Sequence, residues 1–214
     1  MTVERPEFTA PLLIIDDFLS AEHAALCLQE AIDLRPVYMP ASVGQADDNR
    51  IDRKIRRNDV VYLDSVFSSA PERSKILTLV KRRIDEPDCN RLWHQGYFLF
   101  DVINYGNWRE SVLSRYGQCD FYGLHQDTKH NKTNPGELRN RLVTLVYYMN
   151  TEPERFTGGA LTLQQDDGKI TVTPKHNRAV VFPSFVYHKV ENVQLNDEDF
   201  SAGRFSLNLW IGFR

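Results

Sequence analysis

A mainly β fold with flanking helices is predicted by three features of this sequence. Helical periodicity is confined to roughly the first third of the chain. From about Tyr97 the texture changes to short β-like runs separated by turn residues, with no helix long enough to intervene. The last of these runs, Arg204 to Phe213, alternates almost strictly between apolar and polar side chains. Short strands at fairly regular spacing predict an antiparallel sandwich or barrel. The helices are expected to pack outside the sheets within one domain over 1–214, with 1–95 as a supporting region and 96–214 as the β core.

Taken in order, Leu12 to Ile15 reads as a short apolar strand, and Ser20 as the N-cap of a helix running to about Asp33. Ala24, Leu28 and Ile32 recur at helical spacing on one face. Gly44 to Asp59 is polar, with Arg50, Arg53, Lys54, Arg56 and Arg57 close together. Two readings stand there: a solvated loop whose own Asp47, Asp48, Asp52 and Asp59 offset the charge, or a basic loop that contacts substrate. A second helix is expected to start near Pro71, with Ile76, Leu77, Val80 and Ile84 on one stripe. The expected strands are Phe98–Ile103, Ser111–Tyr116, Arg141–Met149, Ala160–Gln164, Ile170–Thr173, Ala179–Phe182, Tyr187–Val190 and Arg204–Phe213. Thr128 to Asn140 has almost no apolar residue and contains Asn134-Pro135-Gly136, so it reads as a loop.

Composition narrows the class without naming a chemistry. The 214 residues carry a net charge of −3, which is no electrostatic footprint for gripping a phosphate backbone. Cys27, Cys89 and Cys119 are widely spaced and form no CxxC pair, which suits reduced thiols better than a disulfide framework or a zinc knuckle. The first residues lack a basic stretch leading into an apolar one, and no run of 18 apolar residues occurs. The expectation is a soluble, cytoplasmic protein with no membrane partner.

Chemistry first shows in His125-Gln126-Asp127, where side chains at i and i+2 of an extended strand point the same way. Chance alone gives about half of one HxD in a chain of this composition, so the motif needs company. His188, in Phe185-Val186-Tyr187-His188, is the candidate third ligand. Two histidines and a carboxylate on one face of an octahedral ion leave positions open, the arrangement of non-haem Fe(II) oxygenases. His23, His94, His130 and His176 read as surface or packing residues. In the last strand, Phe205, Leu207, Leu209, Ile211 and Phe213 share one face, and Arg204, Ser206, Asn208 and Trp210 the other. That polar face is either the solvated side of an edge strand or a barrel interior in which Arg204 grips a carboxylate. Thr144 and Tyr148 share a face of their own strand, and Tyr148 is either a second donor to that anion or a packed core tyrosine.

With these residues in hand, the chain resembles the Fe(II)- and 2-oxoglutarate-dependent dioxygenases, in their prolyl 4-hydroxylase-like branch. The resemblance covers roughly Ser111 to Phe213. It rests on Tyr116 and Tyr122 ahead of His125-Gln126-Asp127, the run from Arg141 to Asn150, Gly158-Gly159-Ala160-Leu161, Phe182-Pro183-Ser184 ahead of His188, and Arg204 with Ser206. Cys119 stands where many members have glycine, and Asn196-Asp197-Glu198-Asp199 is an acidic insertion.

The resemblance implies a double-stranded β-helix core with His125, Asp127 and His188 as metal ligands. It implies Arg204 and Tyr148 on the distal carboxylate of 2-oxoglutarate, Tyr116 and Ser206 at the cosubstrate, and Thr144, Asn208 and Trp210 as walls. The cofactors implied are Fe(II), 2-oxoglutarate and O2, with ascorbate a further candidate. The activity implied is hydroxylation of an unactivated C–H bond with release of succinate and CO2. Its substrate is a prolyl residue of a protein or peptide, or alternatively a free amino acid or peptide-like metabolite. Two other readings stay open: a metal enzyme of the cupin type without 2-oxoglutarate, and a non-catalytic binding module. Nucleic acid is disfavoured, because Trp210 occupies the place of the second arginine that related demethylases carry. The Thr128–Asn140 loop, with Lys129, Lys132 and Arg139, is expected to fold over the substrate.

Overall fold

The computed structural model describes residues 10–44, 50–89, 98–128, 140–165 and 168–213. The supporting region holds β1 (Leu13–Ile15), α1 (Ala21–Asp33), β2 (Met39–Pro40), β3 (Arg56–Arg57), β4 (Asp59–Tyr62), α2 (Leu63–Val66) and α3 (Lys75–Ile84). After α4 (Phe98–Tyr105) come β5 (Trp108–Tyr116), β6 (Phe121–His125), β7 (Asn140–Met149), β8 (Phe156–Gly158), β9 (Leu161–Gln165) and β10 (Gly168–Val172). β11 (Ala179–Pro183), β12 (Tyr187–Val190), β13 (Val193–Leu195) and β14 (Arg204–Phe213) complete the chain.

The major sheet has seven strands in the order β1-β11-β7-β14-β5-β4-β2, and the minor sheet five in the order β10-β9-β12-β6-β3. From β5 onward the chain crosses repeatedly from one sheet to the other, which makes the core the double-stranded β-helix expected. β14 is an interior strand, antiparallel to both β5 and β7, so its polar face is not that of a solvated edge. Its apolar face, Phe205, Leu207, Leu209 and Ile211, joins Val143, Leu145, Tyr147 and Met149 of β7 in the main core, beneath α1, α3 and α4. Full burial of each such aliphatic side chain contributes about 1.5–3 kcal/mol. A smaller apolar cluster, including Val146, Leu163, Val180, Phe182 and Val186, lies on the opposite faces of β7 and β11.

The helices follow their local chemistry. The Ser20 hydroxyl caps α1 by accepting from His23 N–H. The stripe of α1 is turned slightly from the expected one: Ala24, Cys27 and Ala31 are buried, while Leu28 and Ile32 pack partly exposed against them. Pro71 opens a single 3-10 turn, and α3 begins only after Ser74, whose hydroxyl accepts from Leu77 N–H. The stripe Ile76, Leu77, Val80 and Ile84 is buried as expected. Glu30 of α1 accepts the Ile76 N–H at 2.8 Å and joins the two helices.

One expected strand is a helix. Phe98–Ile103 forms most of α4, and Leu99, Val102 and Ile103, at helical spacing, are buried. A short continuous apolar run carries no period that separates the two states. His94, His130 and residues 129–139 of the expected substrate loop lie outside the described residues. Cys27 and Cys89 are buried, Cys119 is exposed, and all three are free thiols. Among the described residues no helix is long and apolar enough to cross a membrane.

Candidate metal and cosubstrate site

His125 ends β6, and His188 is its antiparallel partner on β12. A register shift between His188 and Val190 bends that pairing. Asp127 is not in the strand, contrary to the simple i, i+2 picture. The chain has already turned, and Asp127 N–H and Thr128 N–H both donate to Ser184 O, at 2.9 and 3.2 Å. The three side chains still converge, with their ligand atoms all within 4.8 Å of one another. Asp127 Oδ1 lies 3.6 Å from His125 Nε2, and Oδ2 lies 3.4 Å from His188 Nε2.

The surroundings fix which atoms face inward. His125 Nδ1 is 2.8 Å from Gly123 O, and His188 Nδ1 is 2.9 Å from Val186 O. A carbonyl accepts only, so both Nδ1 atoms carry the proton and both Nε2 lone pairs are left for a metal. Tyr122 stacks on His125 at 3.6 Å between ring centroids, and Phe182 meets His188 edge-on at 5.0 Å. Thr144 donates to Asp127 Oδ2 at 2.9 Å. Having spent its one proton there, Thr144 must accept from Ser184, 2.9 Å away, so Ser184, Thr144 and Asp127 form a directed chain.

The protonation of His125 and Asp127 suits a cation, while His188 leans toward its charged form against the Asp127 carboxylate. Burial, reinforced by the neighbouring His188, lowers the His125 pKa to about 4. Burial alone would raise the Asp127 carboxyl, yet the facing imidazoles hold it well below the usual carboxylate range. Burial opposes protonation of His188, but the Asp127 carboxylate raises its pKa above the ordinary value. Two imidazoles and one ionised carboxylate on one side of a cavity match the facial arrangement of non-haem iron sites.

The other wall comes from β14. Arg204 is 1% exposed, and its Nε donates to Gly159 O at 2.7 Å. Its Nη1 reaches Ser206 Oγ at 3.3 Å, and the guanidinium lies between the rings of Tyr116 and Tyr148, at 4.8 and 4.9 Å. Gly159 is required twice over. Its φ is +64°, and a Cβ there would stand 2.7 Å from Arg204 Cδ. The Tyr148 hydroxyl is buried and has no hydrogen-bond partner among the described residues. A buried orphan donor beside an arginine whose charge has no carboxylate partner among the described residues fits a bound carboxylate.

His125, Asp127, His188, Tyr116, Arg204, Ser206, Asn208 and Trp210 all line one cavity of about 300 Å³. Thr144 and Tyr148 stand one layer back from its wall. Thr144 is therefore better described by its bond to Asp127 than as a wall. Asn208 is held by a bond from its Nδ2 to Ser114 Oγ at 3.0 Å. Several residues in or behind the lining had no individual site role in the sequence reading, which named Arg56 only within a basic loop that could contact substrate. Arg141 is bound to Glu110 through Nε at 3.0 Å and Nη2 at 2.7 Å, and lies 3.6 Å over the Trp210 ring. Alternation along β7 would put Arg141 on the core face with Val143 and Leu145; the register shift between Ile211 and Gly212 turns it into the cavity, and nothing local pairs it with Glu110. Tyr62 and Arg56 reach the cavity from the supporting region. Ser184, in the turn before β12, is fully buried. His176 keeps its structural reading, accepting Asn150 N–H at 3.1 Å.

Comparison with known proteins agrees with this geometry. Residues 111–212 match the model of the 2OG-Fe(II) oxygenase superfamily. An uncharacterized PKHD-type hydroxylase of Synechocystis is 26% identical over 207 residues, covering 92% of this chain and 61% of the relative, so this chain spans about three fifths of that protein. A prolyl hydroxylase from Trichoplax adhaerens, solved with a hypoxia inducible factor peptide fragment, superposes with a TM-score of 0.67 at 19% identity, over 95% of this chain and 84% of that one. A Pseudomonas putida prolyl-4-hydroxylase gives 0.62 at 20% identity, over 96% and 94%. Over residues 111–212 the chain is similar to the 2OG-Fe(II) oxygenase superfamily, and its fold is similar to that of the prolyl hydroxylases.

Proposed function

We propose that this chain is an Fe(II)- and 2-oxoglutarate-dependent hydroxylase acting on a prolyl residue of a protein or peptide. The observation that carries the reading is one cavity with two opposed anchors. The His125, Asp127 and His188 cluster stands on the minor sheet, and Arg204 with the unsatisfied Tyr148 hydroxyl on the major. Iron and 2-oxoglutarate, when bound, supply the oxygen chemistry: one oxygen atom enters the substrate C–H bond and the other the cosubstrate, which leaves as succinate and CO2.

The protein's part is binding, orientation and exclusion of water. His125 and His188 offer Nε2, because carbonyls hold their Nδ1 protons, and Asp127 offers a carboxylate steadied by Thr144. Arg204 neutralises the distal carboxylate of the cosubstrate in a site with almost no solvent, where a guanidinium is worth far more than at a surface. Tyr148 donates its hydroxyl proton to the same group. Tyr116 flanks the guanidinium, Ser206 steadies it, and Asn208 and Trp210 form the remaining wall.

Succinate release measured over a panel of proline peptides and free amino acids tests the substrate. Asp127→Ala and His188→Ala should abolish substrate-dependent succinate, and full turnover in either variant would sink the assignment. Arg204→Ala separates this reading from a metal enzyme that does not use 2-oxoglutarate, which would keep its activity.

A further inference from the structure

Most charges lining the cavity already have partners or a reading. Asp127 faces the two histidines, Arg204 is read as the cosubstrate's anchor, and Glu110 and Arg141 neutralise one another at 2.7 Å. Arg56 is left over. Its Nε donates to Asn58 Oδ1 at 2.7 Å and its Nη1 to Ser42 O at 3.5 Å. Both acceptors are uncharged, and Arg56 makes no ion pair among the described residues. One face of the guanidinium lies 4.4 Å over the Tyr122 ring, which in turn stacks on His125. The charge is thus held in a column that ends on the metal cluster, on a cavity wall it shares with Tyr62 and Val43.

We propose that Arg56 is a specificity-determining residue that takes a carboxylate carried by the substrate close to the C–H bond to be hydroxylated. This rests on reading the cavity as the oxygenase site. Asn58 and Tyr122 fix the guanidinium in advance, so little side-chain freedom is lost on binding. Its Nη2 has no hydrogen bond among the described residues, leaving donors free on an edge that matches a carboxylate. The cavity is about 300 Å³, and the cosubstrate takes part of it, which favours the compact carboxylate over a phosphate. With cosubstrate and metal in place, the net positive charge of Arg56 faces the substrate and disfavours a lysine or arginine side chain there.

The carboxylate has three sources, which one panel separates. The first is Ala-Ala-Pro-Glu-Ala amide against its Gln counterpart, with the acidic position scanned on both sides of proline. The second is Ala-Ala-Pro as acid against amide, and the third is free proline against prolinamide. Turnover is read as succinate release by the Fe(II)-loaded protein. Binding is read separately by competition against a fluorescein-labelled peptide on protein loaded with Mn(II) and N-oxalylglycine. At least one carboxylate member should exceed its amide in kcat/KM by roughly tenfold or more, mainly through KM. Arg56→Gln should bring that ratio close to one, and Arg56→Lys should keep part of it. Equal behaviour of every acid and amide pair in both readouts overturns the proposal, as does an unchanged ratio in Arg56→Gln. If nothing in the panel releases succinate, the prolyl substrate reading fails, and the binding ratio alone decides the role of Arg56.

Discussion

Thr144→Val removes one buried hydroxyl and keeps the branched shape of the side chain. Thr144 stands on β7, where valine is at home, so the backbone has no reason to move. Two contacts go: the donation to Asp127 Oδ2 at 2.9 Å, and the bond accepted from Ser184 at 2.9 Å. A hydrogen bond to a charged group in a dry site is worth about 1.5–3 kcal/mol. Loss of such a partner behind a metal ligand weakens metal binding by about 10–100-fold. Ser184→Ala is the graded control, since it leaves Thr144 bound to Asp127 and removes only the donor behind it; its loss should be several times smaller. Calorimetric titration of the metal-free protein with Mn(II) reads the affinity, and thermal melting checks the fold. A Thr144→Val protein that melts normally and binds Mn(II) within twofold of the parent would refute the directed chain and return Thr144 to the role of a wall.

Gly159→Ala forces an L side chain into positive φ and drives its Cβ into the stem of Arg204, so KM for 2-oxoglutarate should rise by at least tenfold, while a normal KM would show that Arg204 is not positioned by this turn. Tyr148→Phe deletes an unsatisfied buried hydroxyl, so the metal-free protein should melt at the same temperature or slightly higher, whereas KM for 2-oxoglutarate should climb. A lower melting temperature with unchanged KM would mark Tyr148 as a packing residue alone. Burial pushes the Cys27 thiol up to about 12 and that of Cys89 to about 11, so both stay protonated at neutral pH. Ellman's reagent should therefore find one fast thiol, Cys119, in the native protein and three after unfolding; three fast thiols without unfolding would contradict the burial.

The sequence was legible where periodicity met burial. β14 read correctly over its whole length because one face is apolar and the other is not, and β12 read correctly because turn residues bound it. α4 failed for the opposite reason, since its apolar residues run together and a strand and a helix share that appearance. β6 was missed although it carries His125: Phe121 to His125 contains a glycine and shows no alternation, and its strand state comes from pairing with β12 and β3. The cluster of His125, Asp127 and His188 was reachable by ligand chemistry and resemblance. The carbonyl partners of the two Nδ1 atoms, and the serine behind Thr144, depend on turns that no local pattern encodes. Arg56 shows the limit most clearly. From composition it was one of five basic residues in a polar loop, and only the pairing of β3 with β6 brings it over Tyr122 and into the cavity.

The two anchors of the cavity are supported in different ways, and the difference follows from where charge has to be held without help. Arg204 begins β14, which is paired on both sides over nearly its full length. A slip of one residue would put Arg204 into the apolar core beneath the helices and Phe205 into the cavity, so the same alternation that stabilises the fold also holds the anion anchor in register. A guanidinium that is 1% exposed and has no carboxylate partner among the described residues needs such a frame to keep its charge at the cavity. In the metal cluster only His188 has such a frame, on β12 between β9 and β6. His125 is the last residue of its strand and Asp127 lies beyond it, in a turn held by two backbone bonds to Ser184 O and by side-chain bonds from Gln126 to Phe185 O and from Thr144 to Asp127. A divalent cation with three ligands supplies the missing cross-link itself. The stiff strand therefore belongs to the cosubstrate, and the short-stranded sheet to the metal that completes it.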